Sequence, residues 1–155
     1  MNITVLYGTE TGNAEMLAED VAAHLEGDHD VTCTNLCDVA PADLTADRFY
    51  LVICSTYGDG ELPSSAQPFA EAMELARPDL AGIHFAIFGL GDTEYEATHN
   101  FGSKILAELL AAHGATQIGE RVIHDASGPD MADDLAMPWA DASVDLARSR
   151  VEEAA

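Results

Sequence analysis

Short apolar runs alternate with segments of helical periodicity along the whole chain, and few folds accept such a pattern. The apolar runs predict strands at Ile3–Tyr7, Val31–Leu36, Arg48–Ser55, Ile83–Phe88 and Gln117–Ile123. The periodic segments predict helices over Ala14–Leu25, from Ser64 or Ser65 to Ala76, over Thr98–His113 and over Met131–Arg150. This alternation indicates an α/β fold, a doubly wound five-stranded parallel sheet with helices on both faces.

Residue types within these segments support the same assignment. The third run is almost continuously apolar, as expected for a central strand that is covered on both faces. Ser64 or Ser65 is the predicted N-cap of the second helix, and Gly114 is the predicted stop of the third. The residues expected to face the core from the first and third helices are Met16, Leu17, Val21, Ala22 and Leu25, then Phe101, Ile105, Leu106, Leu109 and Leu110.

The chain is strongly acidic. It has 155 residues, of which 28 are Asp or Glu and 6 are Lys or Arg, so its net charge is −22. This length predicts one domain over residues 1–155, and the apolar share of 48% is enough for a packed core. The charge excludes a binder of nucleic acid or of an anionic membrane, because phosphate groups would be repelled. Two interpretations stay open: adaptation to high salt, and an acidic surface that docks on basic partner proteins.

The cysteines point to a reducing compartment. Cys33, Cys37 and Cys54 are predicted to be free, buried thiols, because they are odd in number and lie in or beside apolar runs. They lack the partners of a metal site. A cytoplasmic location is expected, because no apolar run approaches the roughly 18 residues of a membrane span and the first strand begins too early for a signal peptide. A monomer is also expected.

Three loops follow the predicted strands one, three and four, and a doubly wound sheet binds its ligand at such strand ends. The first is Gly8-Thr9-Glu10-Thr11-Gly12-Asn13-Ala14, which leads directly into a helix. Unpaired amides at a helix N-terminus favour an anion, and Thr9, Thr11 and Asn13 add neutral donors. The loop is therefore predicted to hold a phosphate, with a plain helix cap as the alternative. It has neither the G-x-G-x-x-G pattern nor the Lys of the ATPase loop.

The second and third loops each combine glycines with a tyrosine. They are Ser55-Thr56-Tyr57-Gly58-Asp59-Gly60-Glu61-Leu62-Pro63 and Gly89-Leu90-Gly91-Asp92-Thr93-Glu94-Tyr95. Tyr57 and Tyr95 offer flat faces to a planar heterocycle, and glycines let the backbone approach it closely. A phosphate and a ring between two tyrosines outline a mononucleotide. A triphosphate with its metal is not expected, because these loops contain no Lys or Arg.

The three loops resemble the FMN-binding loops of the flavodoxin family. The matching strings are Thr9-Glu-Thr-Gly-Asn-Ala14, Ser55-Thr-Tyr-Gly-Asp-Gly-Glu61 and Gly89-Leu-Gly-Asp-Thr-Glu-Tyr95. The resemblance covers essentially the whole chain and is greatest to MioC-type flavodoxins and to the FMN domains of diflavin reductases. It implies a short-chain flavodoxin without a long insertion in the fifth strand. Such a protein binds FMN and carries electrons one at a time between a reductase and an acceptor, which dock near the flavin edge.

The resemblance also implies a role for each loop. The first would hold the FMN phosphate through Thr9, Glu10, Thr11, Gly12, Asn13 and Ala14. The second would contact the ribityl chain and ring edge through Ser55 and Thr56 and one ring face through Tyr57, with Gly58, Asp59 and Gly60 completing it. The third would present Gly89, Leu90, Gly91, Asp92 and Thr93 to the pyrimidine end and Tyr95 to the other ring face. Gly58 matches the glycine whose peptide turns its carbonyl toward flavin N5. His99 and Asp125 are further candidates, and solvent on the helix surface is the alternative environment of His99.

Other classes of protein with a related fold lack their required residues. A receiver-type signalling domain needs an aspartate at the end of the third strand and a lysine at the end of the fifth, where this chain has Cys54-Ser55 and Ile123-His124. A phosphatase of the C-x5-R type needs a cysteine after the first strand. An FMN-dependent NAD(P)H oxidoreductase component stays open as the alternative, although its nicotinamide site would have to come from an added domain or a dimer interface.

Overall fold

The computed structural model describes residues 2–9, 13–55, 65–91, 101–119, 121–125 and 132–154. Its strands are β1 (Asn2–Gly8), β2 (Asp30–Asn35), β3 (Phe49–Ser55), β4 (His84–Gly91), β5 (Thr116–Gln117) and β6 (Val122–Asp125). Its helices are α1 (Asn13–Leu25), α2 (Gln67–Ala76), α3 (Phe101–Ala112) and α4 (Ala132–Ala154). Two short 3-10 helices, Leu36–Asp38 and Pro41–Asp43, lie between β2 and β3.

The strands form one parallel sheet. The order is β2-β1-β3-β4, and β5 and β6 both pair with β4 and share the fifth strand position. The chain passes from β1 outward to β2 and then returns across β1 to β3, so the strand order reverses between β1 and β3. Ligands of doubly wound sheets bind outside the carboxyl ends of the strands at such a reversal. The predicted doubly wound α/β fold is confirmed.

The fifth strand is interrupted, and the prediction of one strand over Gln117–Ile123 is wrong in this respect. β5 lies beside the start of β4, whereas β6 pairs with its last residues, from Phe88 opposite Val122 to Gly91 opposite Asp125. Between them Gly119 has a φ of +71°, which residues with a side chain rarely adopt, and this turn takes the backbone out of the ladder.

The sheet separates two hydrophobic clusters. Along β3, alternate residues point to opposite faces, so Phe49, Leu51 and Ile53 pack with α1 and α4, while Tyr50, Val52 and Cys54 pack with α2 and α3. All six side chains are buried. The prediction of a central strand covered on both faces is therefore confirmed.

Two residues expected in the core lie on the surface instead. Met16 is 67% exposed and Ile105 is 40% exposed. On α1, the small side chains of Ala14, Ala18 and Ala22 are buried beside Leu17, Val21 and Leu25. The buried face of α1 therefore includes these alanines, and Met16 lies outside this face and points away from the core.

Candidate cofactor site

The carboxyl ends of β1, β3 and β4 lie side by side. Gly8 pairs with Cys54, and Cys54 and Ser55 pair with Gly89 and Leu90. The sheet thus brings together the starting points of the three predicted cofactor loops. Many candidates fall outside the described residues, and their cofactor contacts stay predictions: Glu10, Thr11, Gly12, Thr56, Tyr57, Gly58, Asp59, Gly60, Asp92, Thr93, Tyr95 and His99.

The first loop joins β1 to α1 over a short distance along the chain. α1 begins at Asn13, a few residues along the chain from the end of β1, and the unpaired amides at a helix N-terminus are groups that favour an anion. The Tyr7 hydroxyl donates to Glu15 Oε1 at 3.1 Å and connects β1 to that first turn. Burial of Tyr7, with the hydrogen bond to Glu15, raises the pKa of Tyr7 to about 12. The phenol therefore stays protonated and keeps this connection near neutral pH.

Gly8, at the end of β1, is closely surrounded. A Cβ at this position would lie 2.9 Å from Ala66 Cβ and 3.3 Å from both Cys54 Sγ and Leu36 Cδ1. The Ser55 hydroxyl donates to the Gly8 carbonyl oxygen at 3.3 Å. The start of the first loop is consequently packed against the end of β3 and the residue before α2, and only glycine fits there without displacement.

Ser65 contacts the first loop, although the sequence pattern singled it out only as a helix cap. The Thr9 amide donates to Ser65 Oγ at 2.7 Å, and the Ser65 amide donates to the Thr9 carbonyl oxygen at 3.3 Å. The N-cap of α2 is Ala66, with no side-chain hydrogen bond, so the prediction of Ser65 as the cap is wrong; Ser64 lies outside the described residues. No local pattern could reveal this pair, because its partners are 56 positions apart.

β4 extends beyond its predicted end at Phe88, so part of the third loop belongs to the sheet. Gly89, Leu90 and Gly91 are strand residues; all three pair with β6, and Gly89 and Leu90 also pair with β3. Pairing on both sides keeps this backbone extended. Asp125 lies opposite Gly91, at the same edge of the sheet as the other strand ends, as its candidacy near the flavin requires.

The thiols are free, but they are not all buried as predicted. Cys54 is buried, Cys33 is half-buried and Cys37 is exposed, because it lies in the 3-10 turn that follows β2. Burial raises the pKa of Cys54 to about 12 and that of Cys33 to about 11, so both stay protonated near neutral pH. Within the described residues, no group of three or more potential metal ligands occurs, and no helix is long and apolar enough to cross a membrane.

The fold and the three strand ends define a doubly wound protein with a nucleotide-type site at the reversal of strand order. The sequence profile of the flavodoxin family matches residues 5–139, and the chain belongs to this family. It is accordingly an FMN-binding electron-transfer protein.

Individual relatives agree with this membership. The chain is 35% identical over 145 residues to protein MioC of Escherichia coli, covering 94% of this chain and 97% of that protein. It is 37% identical over 122 residues to the sulfite reductase (NADPH) flavoprotein alpha-component of Bacillus subtilis, covering 77% of this chain but 20% of that protein. A mutant of flavodoxin from Pseudomonas aeruginosa superimposes with a TM-score of 0.82 at 26% identity, over 94% of this chain and 98% of that one.

Proposed function

We propose that this protein is a single-domain, monomeric flavodoxin of the cytoplasm, which passes electrons one at a time between a reductase and an acceptor protein and catalyses no net reaction itself. The observation that carries the proposal is the match of the flavodoxin family over residues 5–139, together with the adjacent ends of β1, β3 and β4, at which the three predicted cofactor loops start.

FMN supplies the redox chemistry when it is bound, and the protein holds and tunes it. In this proposal the first loop and the first turn of α1 would hold the phosphate, and Ser55, whose hydroxyl donates to the Gly8 carbonyl oxygen, would contact the ribityl chain. Both backbone groups of Thr9 are hydrogen-bonded to Ser65. The second and third loops cover the ring with Tyr57 and Tyr95.

The net charge affects both potential and partners. Reduced FMN is anionic, so a protein of net charge −22 disfavours it and lowers the potential of the second electron. The same surface attracts basic patches on the reductase and acceptor, which would dock near the flavin edge. We also propose adaptation to high salt, because salt would screen the repulsion among the surface carboxylates.

An anaerobic reduction experiment tests the carrier function. The FMN-loaded protein is mixed with NADPH or NADH, first alone and then with a trace of a flavodoxin reductase, and the visible flavin absorbance is followed. We expect no bleaching by either nucleotide alone, rapid bleaching once the reductase is present, and re-oxidation on addition of cytochrome c. A control that contains the reductase and the nucleotide but not this protein gives the background rate of cytochrome c reduction.

Rapid bleaching by NADPH or NADH alone would contradict the carrier function. It would show a nicotinamide site on this protein and favour an FMN-dependent NAD(P)H oxidoreductase component instead.

A further inference from the structure

The Thr9–Ser65 pair joins the first loop to the end of the second. Thr9 is the last described residue before Glu10, and Ser65 is the first described residue after the second loop. Their two hydrogen bonds are reciprocal, 2.7 Å from the Thr9 amide to Ser65 Oγ and 3.3 Å from the Ser65 amide to the Thr9 carbonyl oxygen. Two hydrogen bonds that run in opposite directions fix the orientation of the Thr9 backbone relative to Ser65 as well as the distance between the two residues.

The element behind Ser65 is firmly packed. Ala66 is fully buried, and its carbonyl oxygen accepts from the Ala70 amide at 3.1 Å. Phe69 and Met73 anchor α2 in the core with at most 1% of their surface exposed. Ser65 thus immediately precedes a well-packed helix, and there is no room for a Cβ on Gly8, since it would lie 2.9 Å from Ala66 Cβ.

We propose that Ser65 is a positioning residue for the FMN phosphate: its hydroxyl holds the Thr9 peptide, and with it the start of the phosphate-binding loop, in the orientation that binds phosphate. The inference rests on the proposed assignment of the phosphate to the first loop. A hydroxyl that capped α2 would stabilise only the helix, but this hydroxyl accepts its hydrogen bond from Thr9 and α2 has no side-chain cap.

A comparison of FMN with riboflavin separates positioning of the phosphate from general stability. Riboflavin has the same ring and ribityl chain but no phosphate, and flavin fluorescence during titration of the FMN-free protein gives both affinities. We expect Ser65→Ala to weaken FMN binding roughly tenfold, the effect of one good hydrogen bond, and to weaken riboflavin binding by less than about threefold. The ratio of FMN to riboflavin affinity therefore falls.

Two further variants complete the test. Ser65→Thr keeps the hydroxyl and should restore the affinity ratio. Ser149→Ala removes an exposed hydroxyl on α4, which donates to the Asp145 carbonyl oxygen, and should leave both affinities unchanged. In the FMN-loaded wild-type protein, the Thr9 amide should exchange slowly with solvent, and in FMN-loaded Ser65→Ala it should exchange faster.

Equal loss of FMN and riboflavin affinity in Ser65→Ala would overturn the inference, since it would show a merely structural role. An unprotected Thr9 amide in the FMN-loaded wild-type protein would also overturn it. That measurement does not depend on whether Ser65→Ala folds. A wild-type protein without preference for FMN over riboflavin would instead contradict the assignment of the phosphate to the first loop, on which the inference depends.

Discussion

At the scale of single residues, Gly8 has the least room for a side chain among the glycines at which the structure shows what an added Cβ would meet. Its missing side chain lets Ala66, Cys54 and Leu36 approach the end of β1 at the same time. Two of these neighbours belong to packed elements, Cys54 to β3 and Ala66 to the start of α2, so they cannot move independently. The position where the phosphate-binding loop starts is therefore fixed by packing as well as by hydrogen bonds.

Gly8→Ala should lower the free energy of unfolding by about 1–3 kcal/mol, the usual cost of overpacking a closely packed site. The added methyl group would lie 2.9 Å from Ala66 Cβ, which requires a shift of backbone. Gly27→Ala is the matched control, because a Cβ at that position has nothing within 4 Å. Urea unfolding of the FMN-free variants followed by circular dichroism measures both. Equal stabilities of the two variants would contradict the close packing.

Gly58 lies outside the described residues, and its role stays a prediction. If its peptide turns toward flavin N5, the positive φ that this requires is easy for glycine and costly for any other residue. Gly58→Ala should leave FMN bound but bring the two one-electron potentials closer together. Titration with dithionite should then show less of the long-wavelength absorbance band than wild type. A band of equal intensity in both proteins would make Gly58 only a turn residue.

At this scale, the sequence could predict features that neighbouring residues carry, but it could not predict contacts between residues that are far apart along the chain. The loop strings that carry the family resemblance are local, so the sequence alone could name Thr9 and Ser55 as candidates for contact with the cofactor. The contacts of Ser65 and Gly8 could not, because each joins segments that are far apart in sequence. Ser65 in particular has the residue type and position of a helix cap, and only its tertiary partner shows otherwise.

At the scale of elements, periodicity predicted the fold well and failed where tertiary pairing decides. The run Arg48–Ser55 became the central strand, since its apolar residues cover both faces. β4 became longer than predicted, because β6 pairs with Gly89–Gly91 and β3 pairs with Gly89 and Leu90, although glycine weakens a strand. The break at Gly119 divided the fifth strand, and the glycine inside the run Gln117–Ile123 was the signal in the sequence that the prediction of one strand passed over.

α4 packs against β4 through a pair of aromatic side chains, Trp139 and Phe88. Trp139 is 6% exposed, and its ring lies 5.3 Å from that of Phe88. Trp139→Ala should cost about 3–5 kcal/mol of stability, as usual for removal of a buried aromatic side chain. Trp139→Phe should cost less, because it keeps a ring and removes an indole N–H that has no hydrogen-bond partner among the described residues.

Urea unfolding monitored by far-ultraviolet circular dichroism measures these changes, since Trp139 is the only tryptophan and fluorescence would be lost with it. Leu75→Ala, at a side chain that is 87% exposed, serves as the control and should change stability by no more than about 0.5 kcal/mol. A Trp139→Ala variant as stable as this control would show that α4 does not depend on that contact.

At the scale of the whole molecule, charge is the dominant property. With a net charge of −22 on 155 residues, repulsion opposes the compact state in dilute buffer. Salt largely screens the repulsion between exposed charges that are more than about 10 Å apart at 0.1 M, and more than about 3 Å apart at 1 M. The two interpretations of the acidity therefore differ in how stability depends on salt.

If the protein is adapted to high salt, its melting temperature and its retention of FMN should keep rising from dilute buffer to molar salt, beyond the concentration at which long-range screening is complete. Differential scanning fluorimetry that uses the released flavin as its signal records both quantities in one experiment. A melting temperature that is flat over this range would contradict salt adaptation and favour an acidic surface for docking on basic partners.

The central claim is that the first loop and the start of α1 bind the phosphate of FMN at the carboxyl edge of the sheet. Titration of the FMN-free wild-type protein with FMN and with riboflavin tests it most directly. We expect FMN to bind more tightly by several powers of ten, because riboflavin loses two or three hydrogen bonds to a charged group, each of roughly 1.5–3 kcal/mol. Equal affinities for the two flavins would contradict it.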